Sequence, residues 1–310
     1  MVQYDRRMLQ EMPLVTIERN GTPDPNAMQE EQTWYEIENA YLTKKTLYGV
    51  LSGVERTKQG NIVILYYKDH RVVIPVEEMD LVLPKRPEDD EKTLVVRQNK
   101  ILNFMIGCEI DFIVLGLDSN DRSVVGSRRL AMLYNRKKYY FPRENNEPMI
   151  RKGVIVQARV LAVAEKAARL EAFGVETTIV ARDISWEWIG DARELLHVGD
   201  RVLAVVSYVK LYSDTMKVKM DLNMRILTRN DALEKLDRCT VQGRYSGRIT
   251  DIYKGNLFVH LDIGVNAVAH KCTDPKFPGK NDKVTFVVNR IDRENAVAVG
   301  IVSRIIRQDL

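Results

Sequence analysis

Cysteine and histidine are scarce in this chain, with three Cys and four His in 310 residues. Cys108, Cys239 and Cys272 are widely spaced, and no Cys-x-x-Cys occurs. That pattern argues against a disulfide framework or a zinc site and for reduced thiols acting as small hydrophobes. No metal ligand set and no cofactor is expected. No apolar run approaches the roughly 20 residues of a membrane helix. The first residues, Met-Val-Gln-Tyr-Asp-Arg-Arg, lack the apolar segment of a signal peptide, so a cytoplasmic protein is expected. No Gly-rich phosphate loop, Ser-His-Asp arrangement or carboxylate cluster beside a histidine is visible, so catalysis is not expected. Charge of one sign is not in large excess either. A net charge of +4 permits a polyanionic partner without demanding one.

What is present is a pattern that recurs three times. Each copy opens on a strand-like segment: Gly49 to Val54, Ala158 to Val163 and Gly247 to Ile252. A strand pair follows, ending in Val72 to Pro75, Thr178 to Ala181 or Ala267 to His270. After a variable polar or helical connection comes an alternating strand: Gly107 to Val114, Gly199 to Val206 and Gly279 to Val288. An acidic turn and a last strand close each copy, around Ser123 to Ser127, Met216 to Leu222 and Ala296 to Val302. Five short strands with a connection between the third and fourth is the layout of a five-stranded OB-type barrel. A spacing of roughly 75 to 100 residues fits tandem domains with separate cores rather than a solenoid.

The fold expected is therefore mainly β, three tandem OB barrels behind an N-terminal helical arm. The arm takes residues 1–40, and the barrels take 41–134, 150–228 and 238–310. Within the arm an apolar patch, Met12 to Ile17, precedes a turn-rich joint, and a helix is expected from Glu30 to Lys44. Trp34, Ile37 and Tyr41 form a stripe on that helix, the pattern of a docking face. The first copy carries the longest insertion, an acidic helix start at Pro87 to Glu91 followed by an apolar helical stripe.

The run from Tyr253 to His270 is the candidate site. It reads as two strands, Leu257 to Leu261 and Ala267 to His270, joined by a Gly-containing turn. Alternation with a period of two sends Leu257, Val259 and Leu261 to a core and Phe258 and His260 outward. Tyr253, Lys254, Phe258 and His270 then offer two rings, a cation and an imidazole on one outer surface. Arg248 and Arg290 add positive charge nearby. Such a surface suits stacking of unpaired bases while phosphates are neutralised alongside. The plainer reading of Phe258 is core burial, and that of His270 a satisfied strand-end histidine. A second candidate is the linker run Arg136, Lys137, Lys138, Tyr139, Tyr140, Phe141, which interleaves cations and aromatics after Arg128 and Arg129. It reads either as a backbone grip or as rings wedged between the first two barrels. Trp186 and Trp188 on a capped turn read either as an exposed platform or as packing.

All three copies resemble the S1 RNA-binding domain, the OB module repeated in bacterial ribosomal protein S1. The second copy carries the resemblance through Asp183-Ile-Ser-Trp186 and Val198-Gly-Asp-Arg-Val202. The third carries it through Gly264-Val-Asn-Ala-Val-Ala-His270 and Ile291-Asp-Arg-Glu294, and the first through Gly49, Ile74-Pro75 and Ile106 to Ile110. The chain also resembles three-repeat S1-domain proteins of Gram-positive bacteria, some carried on mobile elements. The resemblance implies single-stranded RNA as partner, with the ribosome or single-stranded DNA as further candidates. It places ligand-facing aromatics on Tyr253 and Phe258 and a ligand-facing histidine on His270. It also argues that Trp186 packs at the barrel bottom. In the second copy the aromatic positions read Lys166 to Arg169, and the histidine position lies near Val180. In the first, Val63 and Pro75 stand where the third has Phe258 and His270. Only the third copy keeps the full surface on this reading. The losses elsewhere leave a protein-interaction scaffold, or a single-stranded DNA-binding accessory protein, as the competing class.

Overall fold

The computed structural model describes residues 25–57, 60–83, 90–118, 120, 122–142, 147–186 and 189–308. The Met12 to Ile17 patch, most of the acidic helix start at Pro87 to Glu91, and Trp188 lie outside them. The chain divides into two compact units between Asn135 and Arg136.

The first unit holds helix α1 (Pro25–Thr43), strands β1 (Thr46–Thr57), β2 (Gly60–Tyr67) and β3 (His70–Pro75), helix α2 (Glu91–Phe104), and strands β4 (Glu109–Asp118) and β5 (Ser123–Ser127). The strands close into a barrel in the order β1-β2-β3-β5-β4. Helix α2 starts where the Asp90 side chain accepts from the Thr93 backbone N–H, which satisfies one of the donors a helix start leaves open. On α1 the expected stripe is inward: Trp34 and Ile37 are buried, and Trp34 stacks on the ring of His70 at 5.9 Å.

The second unit begins within helix α3 (Arg128–Tyr139) and holds two sheets. The first comprises β6 (Ile155–Ala164), β7 (Ala167–Ala172), β8 (Val175–Val180), β9 (Arg201–Tyr212) and β10 (Lys217–Asn223), with the one-turn helix α4 (Ala181–Ile184) after β8. Its order, β10-β9-β6-β7-β8, is that of the first barrel left open at one seam. Across that seam Thr177 Oγ1 donates to the Met220 carbonyl at 2.6 Å. Helix α5 (Arg229–Leu236) leads to β11 (Arg244–Tyr253), β12 (Asn256–Leu261), β13 (Asn266–Cys272), β14 (Lys283–Asp292) and β15 (Val297–Arg307), a closed barrel in the same order as the first.

Each barrel's opening strand is bulged at the same place, at Leu51/Gly53, Val160/Ala162 and Ile249/Asp251. An extra residue bends a strand and sharpens its twist, which lets one strand pair on both sides and turn a barrel corner. The third barrel is filled by Ile249, Leu257, Val259, Leu261, Val284, Phe286 and Val288, inward members of the three alternating strands β11, β12 and β14. Gly300 is required by close approach, because a Cβ there would overlap the Val287 carbonyl oxygen.

The shared bulge aligns the three copies and corrects one equivalence. Phe258 sits opposite Asp251, the first paired residue after the bulge, and Ile64 and Arg169 sit opposite Gly53 and Ala162 in the same way. Ile64, rather than Val63, therefore occupies the place of Phe258 in the first barrel. Val63 points into the core, fully buried. A shift of one residue on a strand reverses the face, and the bulge that sets the register has no distinctive residue type to mark it.

Candidate nucleic-acid interface

The local chemistry of Lys254-Gly255 builds the tip of the candidate site. Both residues have positive φ, 48° and 79°, and they join the paired residues Tyr253 and Asn256. Positive φ at both centres makes a two-residue I′ hairpin, whose twist matches the flanking strands; glycine carries one of them at no steric cost. The turn leaves Tyr253 half-exposed and sets Lys254 Nζ 5.3 Å from its ring centroid.

From that tip the outward residues of β11 to β13 form rows. Arg248 lies opposite His260, and His260 opposite Asn266. Phe258 lies opposite Val268 one row further along, half-buried between buried Leu257 and Val259. At the hairpin end the exposed His270 reaches Asn256, with Nδ1 2.7 Å from Oδ1. An amide oxygen accepts, so Nδ1 carries the hydrogen and Nε2 is left for a ligand. His260 uses its Nδ1 in the same way toward Asn266 Oδ1 at 2.9 Å, which ties β12 to β13.

Phe258, His270 and Arg290 line one cleft of about 370 Å³. Its opposite wall comes from the connections that follow β8 and β10: Arg182 on α4, Ser185 and Trp186 after it, and Arg225. Three guanidinium groups thus face a cleft in which, among the described residues, Asp292 is the one lining carboxylate. Hydrogen bonds from Asn295 hold that carboxyl below its ordinary range, helped by the nearby charge of Arg290. Trp186 donates through Nε1 to the Arg225 carbonyl at 2.8 Å, and the Arg225 guanidinium lies 4.3 Å from the indole centroid. The Trp186 position is half-buried, so it packs and lines the cleft at once.

The third barrel's candidate residues therefore divide. Phe258, His270 and Arg290 meet in the cleft, Tyr253 and Lys254 sit at the hairpin end, and Arg248 lies at the far end of the outer face beside His260. Arg182, Trp186 and Arg225 are the additions that linear pattern did not deliver as a group. Arg182 and Trp186 share one segment, and Arg225 lies 39 residues beyond Trp186 on a segment that meets it only through folding.

The linker candidate needs correction. Its cationic half is the last turn of α3, with Lys137 and Lys138 exposed and Arg136 half-buried. Tyr140 is fully buried in the core of the second sheet, and its hydroxyl donates to the Ala172 carbonyl at 2.8 Å. Burial pushes its phenol well above the ordinary range. It offers no ring to a ligand. Tyr139 leans on Phe173 at 4.5 Å, with Lys138 Nζ 5.1 Å from its ring. Arg128 is buried and donates to the Met79 carbonyl, while Arg129 pairs with Glu78 at 2.6 Å. Aromatics beside a helix end are taken by the nearest apolar core, because burying them releases more free energy than displaying them.

Among the described residues no group of three or more His, Cys, Asp or Glu is arranged to hold a metal, and no helix is long and apolar enough to cross a membrane. No protein-family model matches the chain. Individual proteins do. The small ribosomal subunit protein bS1 of Coxiella burnetii is 26% identical over 282 residues, 87% of this chain and 46% of that protein. The bS1 of Mycobacterium tuberculosis is 27% identical over 246 residues, 76% of this chain and 50% of that protein. A 4-hydroxy-3-methylbut-2-enyl diphosphate reductase of Clostridium acetobutylicum is 24% identical over 245 residues, 78% of this chain and 34% of that protein. The chain spans half or less of the length of each. The chain thus combines three five-stranded sheets in OB order with similarity to bS1 over most of its own length.

Proposed function

We propose that this chain is a non-catalytic single-stranded RNA-binding protein that holds its ligand by base stacking and phosphate neutralisation. The observation that carries the reading is the cleft, where Phe258, His270 and Trp186 meet three arginines. A base stacks on Phe258 and a second on Tyr253, each worth about 1–3 kcal/mol. His270 Nε2 contacts a base edge or a phosphate oxygen. Arg290, Arg182 and Arg225 neutralise backbone charge in the cleft, with Lys254 and Arg248 extending that field along the outer face. Sequence preference is slight, because every base has a stacking face. The similarity to bS1, a protein of the small ribosomal subunit by name, supports RNA as the polymer.

Fluorescence anisotropy of labelled single-stranded RNA and DNA, at two salt concentrations, tests this with wild type and a Phe258→Ala/His270→Ala variant. Tight, salt-sensitive RNA binding that is lost in a folded variant supports the reading. Folded wild type that binds neither polymer overturns it and directs attention to protein partners. Tighter binding of DNA than RNA would move the assignment to single-stranded DNA.

A further inference from the structure

The β9–β10 hairpin carries a surface that the cleft does not use. Alternation divides its residues cleanly between two faces. Val209, Leu211 and Val218 pack on the core of the second sheet, and Met220 is buried within it. Tyr208, Lys210, Tyr212, Lys217 and Lys219 are exposed on the other face. The register sets Lys210 directly opposite Lys219, Tyr212 opposite Lys217 and Tyr208 opposite Asp221.

Like charges directly opposite each other on a sheet destabilise it, so the Lys210–Lys219 pair works against the fold. Among the described residues, no carboxylate lies within ion-pair range of Lys210, Lys217 or Lys219. The nearest compensation is aromatic: Lys210 Nζ stands 5.2 Å from the Tyr212 ring. Tyr208 and Tyr212 are 41% and 43% exposed, and their hydroxyls have no polar partner among the described residues. Two rings alternating with three cations along a two-stranded ribbon make a surface complementary to a polyanion with stackable bases. Chain connectivity adds continuity, because β10 ends at Asn223 and Arg225 of the cleft follows two residues later.

We propose that this ribbon is a second contact surface for the same extended single strand, so that the second barrel binds although its Phe258 and His270 positions are Arg169 and Val180. The inference rests on the reading that the chain binds single-stranded nucleic acid. The lysines contact successive phosphates and the tyrosines stack bases between them. A strand held in the cleft reaches the ribbon only if it is long enough, so the surface shows itself as a gain of affinity with length.

The test compares an oligomer of about 6 nucleotides, within one barrel's site size, with one of about 30, in RNA and in DNA. Wild type, Lys210→Gln/Lys219→Gln and Tyr208→Ala/Tyr212→Ala are measured in the full chain. The lysine variant is expected to bind the short oligomer as wild type does and to lose about 3- to 10-fold on the long one. Its slope of log affinity against log salt falls by about 1.4, two phosphates at about 0.7 each for single strands. Its thermal midpoint stays level or rises, because the cross-strand repulsion is gone. A length gain with both polymers supports contacts to phosphate and base alone, and a gain with RNA only supports an added contact to the 2′-hydroxyl. Wild type that binds the short oligomer but gains nothing with length overturns the ribbon and leaves the cleft standing. Equal loss on both lengths, or none on the long one, also overturns it. Wild type that binds no oligomer sinks the cleft reading first, and the ribbon with it.

Discussion

Arg225 holds Trp186 twice, with its guanidinium 4.3 Å from the indole centroid and its backbone carbonyl accepting from Nε1 at 2.8 Å. The stack fixes a long flexible side chain, so less entropy is lost when that guanidinium meets an anion. Trp186→Phe keeps a ring but drops the N–H donor, and is expected to cost about 1 kcal/mol in urea unfolding while RNA affinity holds. Trp186→Ala also frees the guanidinium, and affinity should fall about 2- to 5-fold if cation–π anchoring of about 0.5–1 kcal/mol is what positions it. Equal affinity in the Ala variant would show that the stack serves packing only.

Ring and charge contributions in the cleft separate by salt. Arg290→Ala removes a cation, so the slope of log affinity against log salt should drop by about 0.7. Phe258→Ala removes a stacking face, with affinity lost by about 1–3 kcal/mol at every salt concentration and the slope unchanged. Anisotropy titrations over a salt series measure both. Identical slopes in wild type and the Arg290 variant would exclude a phosphate contact there.

The buried Tyr140 hydroxyl makes a different kind of prediction. Tyr140→Phe leaves the Ala172 carbonyl without that donor in a water-excluded core, at a cost of about 1–3 kcal/mol in chemical denaturation. RNA affinity of the folded protein should not change. A drop in affinity at unchanged stability would restore the linker to the binding surface.

His70 ties stability of the first unit to pH. Burial pushes its imidazole below the ordinary value of 6.5, with Arg122 and Lys68 acting in the same direction and Glu30 and Asp69 opposing. Between its folded value and 6.5 the unfolded chain binds a proton that the folded chain does not, so stability falls as pH drops. The loss starts near neutrality, before the carboxylates whose folded values are depressed, such as Glu78 and Asp262, begin to protonate. Thermal midpoints at about pH 7.5 and about pH 5.5 should differ less in His70→Phe, which keeps a ring against Trp34. An unchanged difference would place the titrating group elsewhere.

Sequence by itself determined the three five-strand copies, the inward and outward faces of β12 and β13, and the rings and cations clustered around Tyr253 to His270. These are readable because strand alternation has a short period, and because a Phe between Leu257 and Val259 is a local feature. Only the tertiary structure decided that Val63 is core and Ile64 is the counterpart of Phe258, because the bulge that sets the register depends on pairing with two neighbours at once. It alone decided that Tyr140 is taken into the second core, because nearby apolar volume outcompetes display. It alone brought Arg182, Trp186 and Arg225 to face Phe258 and Arg290, because that wall is assembled from segments far apart in the chain. Pairing across strands likewise set Lys210 against Lys219, since the register of a hairpin, and not the order of its residues, decides which charges meet.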